Sequence, residues 1–196
     1  MKIKEKIKIR EIVPFLSLIA VIVFFEIVTN GTLLTLKNMK LIFNQAFVLI
    51  IGSVACSFIV AQGDVDFSMG SMVGITAVCA AWVSQAAGGL ALPAAMLLGA
   101  ALGIINGILF VKFKIPSFVV TLSTLMVLRG LTIFIAGGGS VSVPFSLYKY
   151  DSFSLKLILC IVVIMAATFC FNYTKLGKWS KAIGSGITAA HQSGVP

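Results

Sequence analysis

The chain has 196 residues, of which 59% are hydrophobic and 11% charged, with a mean hydropathy of +1.10. Soluble domains are roughly half apolar and a quarter charged, so this composition excludes an ordinary soluble domain and points to a membrane protein. The formal net charge of +9 does not point to nucleic acid, because Lys and Arg gather in short segments between apolar runs, as they do in cytoplasmic loops.

A membrane-spanning helix needs roughly 17–25 mostly apolar residues. Six stretches qualify, at about 12–29, 41–61, 67–87, 91–111, 116–136 and 155–173, which predicts an all-α polytopic membrane fold. The first follows a basic head, MKIKEKIKIR, and runs on into EIVTNGT without a small-residue cleavage site. It reads as an uncleaved span with a cytoplasmic N-terminus. The second contains Asn44 and Gln45, polar residues expected to bond to neighbouring helices.

The third span is preceded by QGDVDFSMGS. Asp66 and Ser68 resemble a helix start, where a carboxylate accepts from free N–H groups and suits the positive end of the helix dipole. The other reading is a polar site at a broken helix, since ionisable groups within a membrane are costly and discontinuous helices bind solutes. Asp64 reads as a solvated turn residue. The turn is short and carries no positive charge, so a break dipping into the membrane stays open.

In the fourth span, GAALGIINGILF, Gly99, Gly103 and Gly107 recur every four residues and share one face, the pattern of close helix packing in lipid. Asn106 in this span and Thr121 in the fifth either bond between helices or line a path for a hydroxylated solute. Arg129 lies deep in the fifth span, roughly 20 Å from Pro116 at 1.5 Å per residue. It either snorkels outward or pairs inside the bundle with carbonyls or with a carboxylate at similar depth, for which Glu26 is the candidate, and with Asp66, Ser68, Asn106 and Thr121 it is a candidate for the solute path. Trp82 and Trp179 fall near predicted interfaces.

After the sixth span, TKLGKWSKAIGSGITAAHQSGVP is polar, basic and Gly-rich, with a short helix expected to end at Gly194. Its His191 reads as a surface residue. Loops assigned to the inside hold ten Lys and Arg against four outside, which predicts both termini in the cytoplasm. Residues 1–173 are thus read as membrane helices and 174–196 as a cytoplasmic loop. Cys56, Cys79, Cys160 and Cys170 lie in apolar runs with no CxxC pair, and zinc spacing is absent. No catalytic set, metal cluster or phosphate-binding loop is present, so no enzyme activity or cofactor is expected, and ATP use would require a separate subunit.

Three segments in this order, GDVDFSMGSM, NGILFVKFKIPSFVVTLSTLMVLRG and TKLGKWSKAIGSGITAAHQSGV, resemble the permease subunits of ribose-type ABC importers, a group that includes the branched-chain amino acid permeases. The first resembles G-G-I-D-L-S-V-G-S, with Asp64 in place of a glycine. The second resembles N-G-x(n)-I-P-x-F-I-V-T-L-x-T-x-x-x-x-R-G, matched at Asn106, Gly107, Pro116, Thr121, Thr124 and Arg129. The third resembles the coupling loop that docks on the ATPase, matched at Gly177, Ala182, Gly184, Ala189, Ala190 and Gly194, with Thr188 where an acidic residue is common.

The resemblance implies a lipid-embedded importer subunit in a bacterial inner membrane. Its implied partners are an ATP-binding subunit, an extracytoplasmic solute-binding protein and a second permease subunit. The implied solute is a monosaccharide, a small polyol or a quorum-signal sugar derivative. It also implies further spans beyond Pro196. Two other readings stand beside it: an ion-coupled secondary transporter using Asp66 and Arg129, and a nonfunctional truncated permease.

Overall fold

The computed structural model describes residues 9–195, and no strand occurs among them. Eight α-helices follow in order: α1 (Ile9–Val28), α2 (Leu36–Ala61), α3 (Met69–Ala87), α4 (Ala91–Phe113), α5 (Ser117–Ile135), α6 (Phe153–Tyr173), α7 (Lys175–Ser185) and α8 (Ile187–Gln192). Short 3-10 turns lie at Gly88–Leu90 and Phe145–Tyr150. The lysines at positions 2 to 8, on which the inside assignment of the N-terminus rests, fall outside the described residues.

Among the described residues, four stretches are long and apolar enough to cross a membrane: Leu36–Ala61, Met69–Phe113, Ser117–Ile135 and Phe153–Tyr173, with a shorter apolar helix at Ile12–Val28. The 45-residue stretch is α3 and α4, joined by the Gly88–Leu90 turn and packed against each other. The six apolar runs expected from the sequence therefore fall on α1 to α6. Large apolar side chains face outward, with Met96 at 75%, Leu97 at 72% and Phe134 at 82% exposed. Such surfaces suit lipid rather than water. The chain is a multi-pass membrane protein.

The helix boundaries follow from local chemistry. α4 stops where Lys114 turns left-handed, at φ 54°, and Pro116 bars the preceding residue from helical geometry. α5 starts one residue later, at Ser117. Thr174, extended at φ −99° and ψ 165°, separates α6 from α7. Within the spans, hydroxyls bond to carbonyls of their own helix, as Ser53 does to Leu49 at 2.7 Å and Thr132 to Leu128 at 2.6 Å. This keeps polar groups satisfied where water is absent.

The chain divides into two compact units, Met1–Val48 and Leu49–Pro196, with the boundary inside α2. In the first, the chain reverses after α1. Glu26 Oε2 accepts the Leu34 N–H at 3.0 Å, and the Gly31 N–H donates to the Glu26 carbonyl at 2.9 Å. In the second, α3 packs against α4 and α5, while α6, α7 and α8 pack in sequence. Gly74 on α3 lies against Thr132 on α5, and Gly99 on α4 against Thr76 on α3. An edge-to-face pair, Phe58 and Phe171, 5.2 Å between centroids, ties α2 to α6.

Candidate functional site

The turn between α2 and α3 carries Asp64 and Asp66. Asp66 Oδ1 accepts both the N–H of Ser68, at 2.7 Å, and its hydroxyl, at 2.6 Å. This is an Asx-turn placed just ahead of α3, and Ser68 is fully buried. Asn106 Nδ2 on α4 donates to Ser68 Oγ at 3.1 Å, and Thr124 Oγ1 on α5 donates to Asn106 Oδ1 at 2.7 Å. The donors all point one way, Thr124 to Asn106 to Ser68 to Asp66. Bonds in such a chain reinforce one another in a low-dielectric setting.

Asp64, expected to be solvated, is half-buried instead. Its Oδ1 accepts from Ser117 Oγ, the first residue of α5, at 2.9 Å. Both carboxylates border a cavity of ≈ 240 Å³ whose wall includes Gln62, Asn106, Ser117 and Thr121. Asn106 lies seven residues from the end of α4, about 10 Å along the helix. Asp66 Oδ2 takes no hydrogen bond among the described residues, which leaves an acceptor at this wall.

The other sequence candidates distribute as follows. Thr121 is buried and borders the cavity, but its hydroxyl returns to the Ser117 carbonyl at 2.9 Å. Gly103 and Gly107 meet no side chain from another helix and border the same cavity, whereas Gly99 is the member of that stripe that touches α3. Arg129 is exposed, lies outside the cavity wall and forms no ion pair among the described residues. The carboxylate proposed for it, Glu26, is engaged in closing its own turn.

The tail forms two helices. A Cβ on Gly177 would collide with the Phe171 carbonyl, and one on Gly184 with the Ala61 carbonyl. α7 is therefore pressed onto the ends of both α6 and α2. Lys181 Nζ donates to Asn172 Oδ1 at 3.0 Å and sits 4.2 Å above the Phe171 ring. Ala182 is half-buried, Ala189 exposed and Ala190 buried. Gly194, at φ 82°, ends α8: its N–H reaches the His191 carbonyl and the Val195 N–H reaches the Ala190 carbonyl, each at 3.1 Å. This pair of bonds is the Schellman arrangement that favours glycine.

Three pairings carry no local sequence signal: Thr124 with Asn106, Asp64 with Ser117, and Gln62 with Ser180. The last joins residues 118 positions apart at 3.1 Å. At the opposite end of the bundle a larger cavity, ≈ 440 Å³, is walled by Ala77, Ala80, Ala81, Val143 and Leu147, with Ser84 and Tyr150 as its hydroxyls. Gln85 Nε2 there donates to the Ser142 carbonyl at 2.8 Å.

Apolar helices of membrane-spanning length, bordering an open cavity with carboxylate, carboxamide and hydroxyl groups on its wall, define a multi-pass membrane protein. Residues 38–196 match the family described as branched-chain amino acid transport system / permease component, and the chain belongs to that family. It is 30% identical over 193 residues to the ribose import permease protein RbsC of Escherichia coli K12, covering 91% of this chain and 60% of that protein. It is also 30% identical over 189 residues to the autoinducer 2 import system permease protein LsrC of Yersinia enterocolitica, covering 91% of this chain and 52% of that one. The chain thus spans between about half and three-fifths of the length of these relatives. No solved structure matches.

Proposed function

We propose that the chain serves as the membrane-spanning subunit of an ABC importer for a monosaccharide or related small hydroxylated solute. ATP hydrolysis is supplied by a separate ATP-binding subunit that docks on α7 and α8. The observation that carries this reading is the family match running through a tail that is itself clamped to the ends of α2 and α6. A motor gripping α7 would pull directly on the membrane helices. The cavity at that end offers carboxylate, carboxamide and hydroxyl groups, the chemistry that suits a hydroxylated solute.

In this reading the tail and the N-terminus face the cytoplasm of a bacterial inner membrane. A second permease subunit completes the transport unit, and an extracytoplasmic binding protein delivers the solute. Closure of the ATP-binding subunits displaces α7 and α8 and alternates the access of the cavity. Asp66, Ser68, Asn106 and Thr121 border the solute path, and Gly177, Ala182, Gly184, Ala189, Ala190 and Gly194 shape the docking surface.

The test is co-purification of the chain with the ATP-binding subunit of its importer. Replacing Lys178 and Lys181 together by Glu is expected to cut recovery of that subunit about tenfold, because close charge pairs across interfaces couple strongly. Undiminished recovery would remove α7 from the docking surface. Impermeant amine labelling of intact cells checks the topology: Lys178 and Lys181 are expected to stay unlabelled, and labelling would invert the orientation.

A further inference from the structure

The α2–α3 turn is held from both sides. On one side, Gln62 Nε2 donates to Ser180 Oγ on α7 at 3.1 Å, and Ser180 is only 5% exposed. One turn further along the same face of α7, Gly184 lies against the Ala61 backbone: a Cβ there would come within 3.0 Å of the Ala61 carbonyl carbon and 3.4 Å of the Gln62 carbonyl carbon. On the other side, the same five-residue stretch forms part of the cavity wall through Gln62, Asp64, Val65 and Asp66. The bond from Ser117 to Asp64 fastens it to α5. Between these fixings, Gly63 turns the chain at φ 85°.

We infer that Gln62 and Ser180 form the link by which α7 positions the Asp64–Asp66 wall, so that the turn follows α7 when α7 moves. This rests on the reading of α7 as the docking element for an ATP-binding subunit. Two contacts four residues apart on one helix face set the register of α7 against the turn, where a single contact would permit rotation. The hydrogen bond is directional and part-buried, with Ser180 itself buried, so its loss leaves the Ser180 side unpaired and the relative angle of the two segments unfixed. The glycine contact sets the distance and the hydrogen bond sets the angle. Gln62 is thus a positioning residue: it acts on the cavity through the turn.

The experiment uses the full chain assembled with its ATP-binding subunit in lipid vesicles. The four native cysteines are replaced by alanine, and a Val65→Cys substitution carries an environment-sensitive fluorophore. Val65 borders the cavity and is 47% exposed, so a label there reports on the wall. ATP is added, and both the fluorescence change and the rate of ATP hydrolysis are recorded. Ser180→Ala and Gln62→Met are each expected to shrink the fluorescence change, taken per ATP hydrolysed, about fivefold, the ratio carried by one net hydrogen bond. The double variant is expected to be no worse than either single one, as for two residues acting through one bond.

Ser180→Ala removes a single oxygen and guards against misfolding in the bulkier change. An unaltered signal in Ser180→Ala, additive effects in the double variant, or hydrolysis falling in step with the signal would each overturn the link. Absence of any ATP-dependent signal in the parent, with the ATP-binding subunit still bound, would overturn it as well. Failure of the parent to bind that subunit would overturn the functional reading beneath it.

Discussion

The two ends of the α3–α4–α5 bundle hold cavities that are both mainly apolar in lining and differ in the polar side chains at their borders. The larger, ≈ 440 Å³, is walled mainly by alanine and aliphatic side chains. The smaller, ≈ 240 Å³, carries two carboxylates, two carboxamides and two hydroxyls. The candidate site is therefore proposed from its polar side chains rather than from its size. The polar groups gather where the turn after α2, the start of α3, α4 and α5 are bonded to one another and where α7 is clamped. The larger cavity lies where a long loop folds back and the side-chain bond from Gln85 to Ser142 reaches across.

If that contrast is correct, substitutions at the two ends should separate by magnitude. Asn106→Ala should have the largest effect. It removes two hydrogen bonds from a residue only 8% exposed and leaves the Thr124 hydroxyl without its acceptor, while Ser68 keeps its bond to Asp66, a loss of about 3 kcal/mol, readable as a lowered thermal midpoint of the purified protein. Gly184→Ala should follow. Its methyl group meets the Ala61 backbone, and overpacking of about 2 kcal/mol outweighs the gain in helix propensity of about 1 kcal/mol. Limited proteolysis within α7 should become faster.

Ser68→Ala should come third, at about 1.5 kcal/mol, because the backbone N–H of residue 68 still holds Asp66 in place. Ala80→Leu should do least. It fills open space at the apolar end and should shift stability by less than about 1 kcal/mol without affecting solute uptake. A severe uptake defect in Ala80→Leu would move function to the larger cavity and dissolve the contrast.

Much of the fold is readable in the chain because its apolar runs are broken by segments with plain physical roles. QGDVD interrupts α2 and α3, AGGLALP turns α3 into α4, and KFKIP separates α4 from α5. The end of α8 at Gly194 follows from the glycine preference of a left-handed residue. The site is less readable. Asp66, Ser68 and Asn106 stand out as polar residues among apolar ones, and the structure joins them. Their fourth member, Thr124, looks like any helical threonine until α4 and α5 are packed. Asp64 has the look of a surface residue because its partner, Ser117, is 53 positions away. Arg129 attracts attention as a charge within a span, yet it lies exposed and apart from the cavity. Charge is visible in one dimension; the partner that gives it meaning is not.

The central claim is that the polar end of the bundle, not the larger apolar cavity, borders the solute path. ATP-driven uptake of the radiolabelled solute of the complete importer into vesicles tests it most directly, with the parent, Asn106→Ala and Ala80→Leu compared at equal protein levels. Uptake by the parent and by Ala80→Leu, with loss in Asn106→Ala while ATP hydrolysis persists, is the predicted result. Normal uptake by Asn106→Ala, or loss in Ala80→Leu alone, would contradict it.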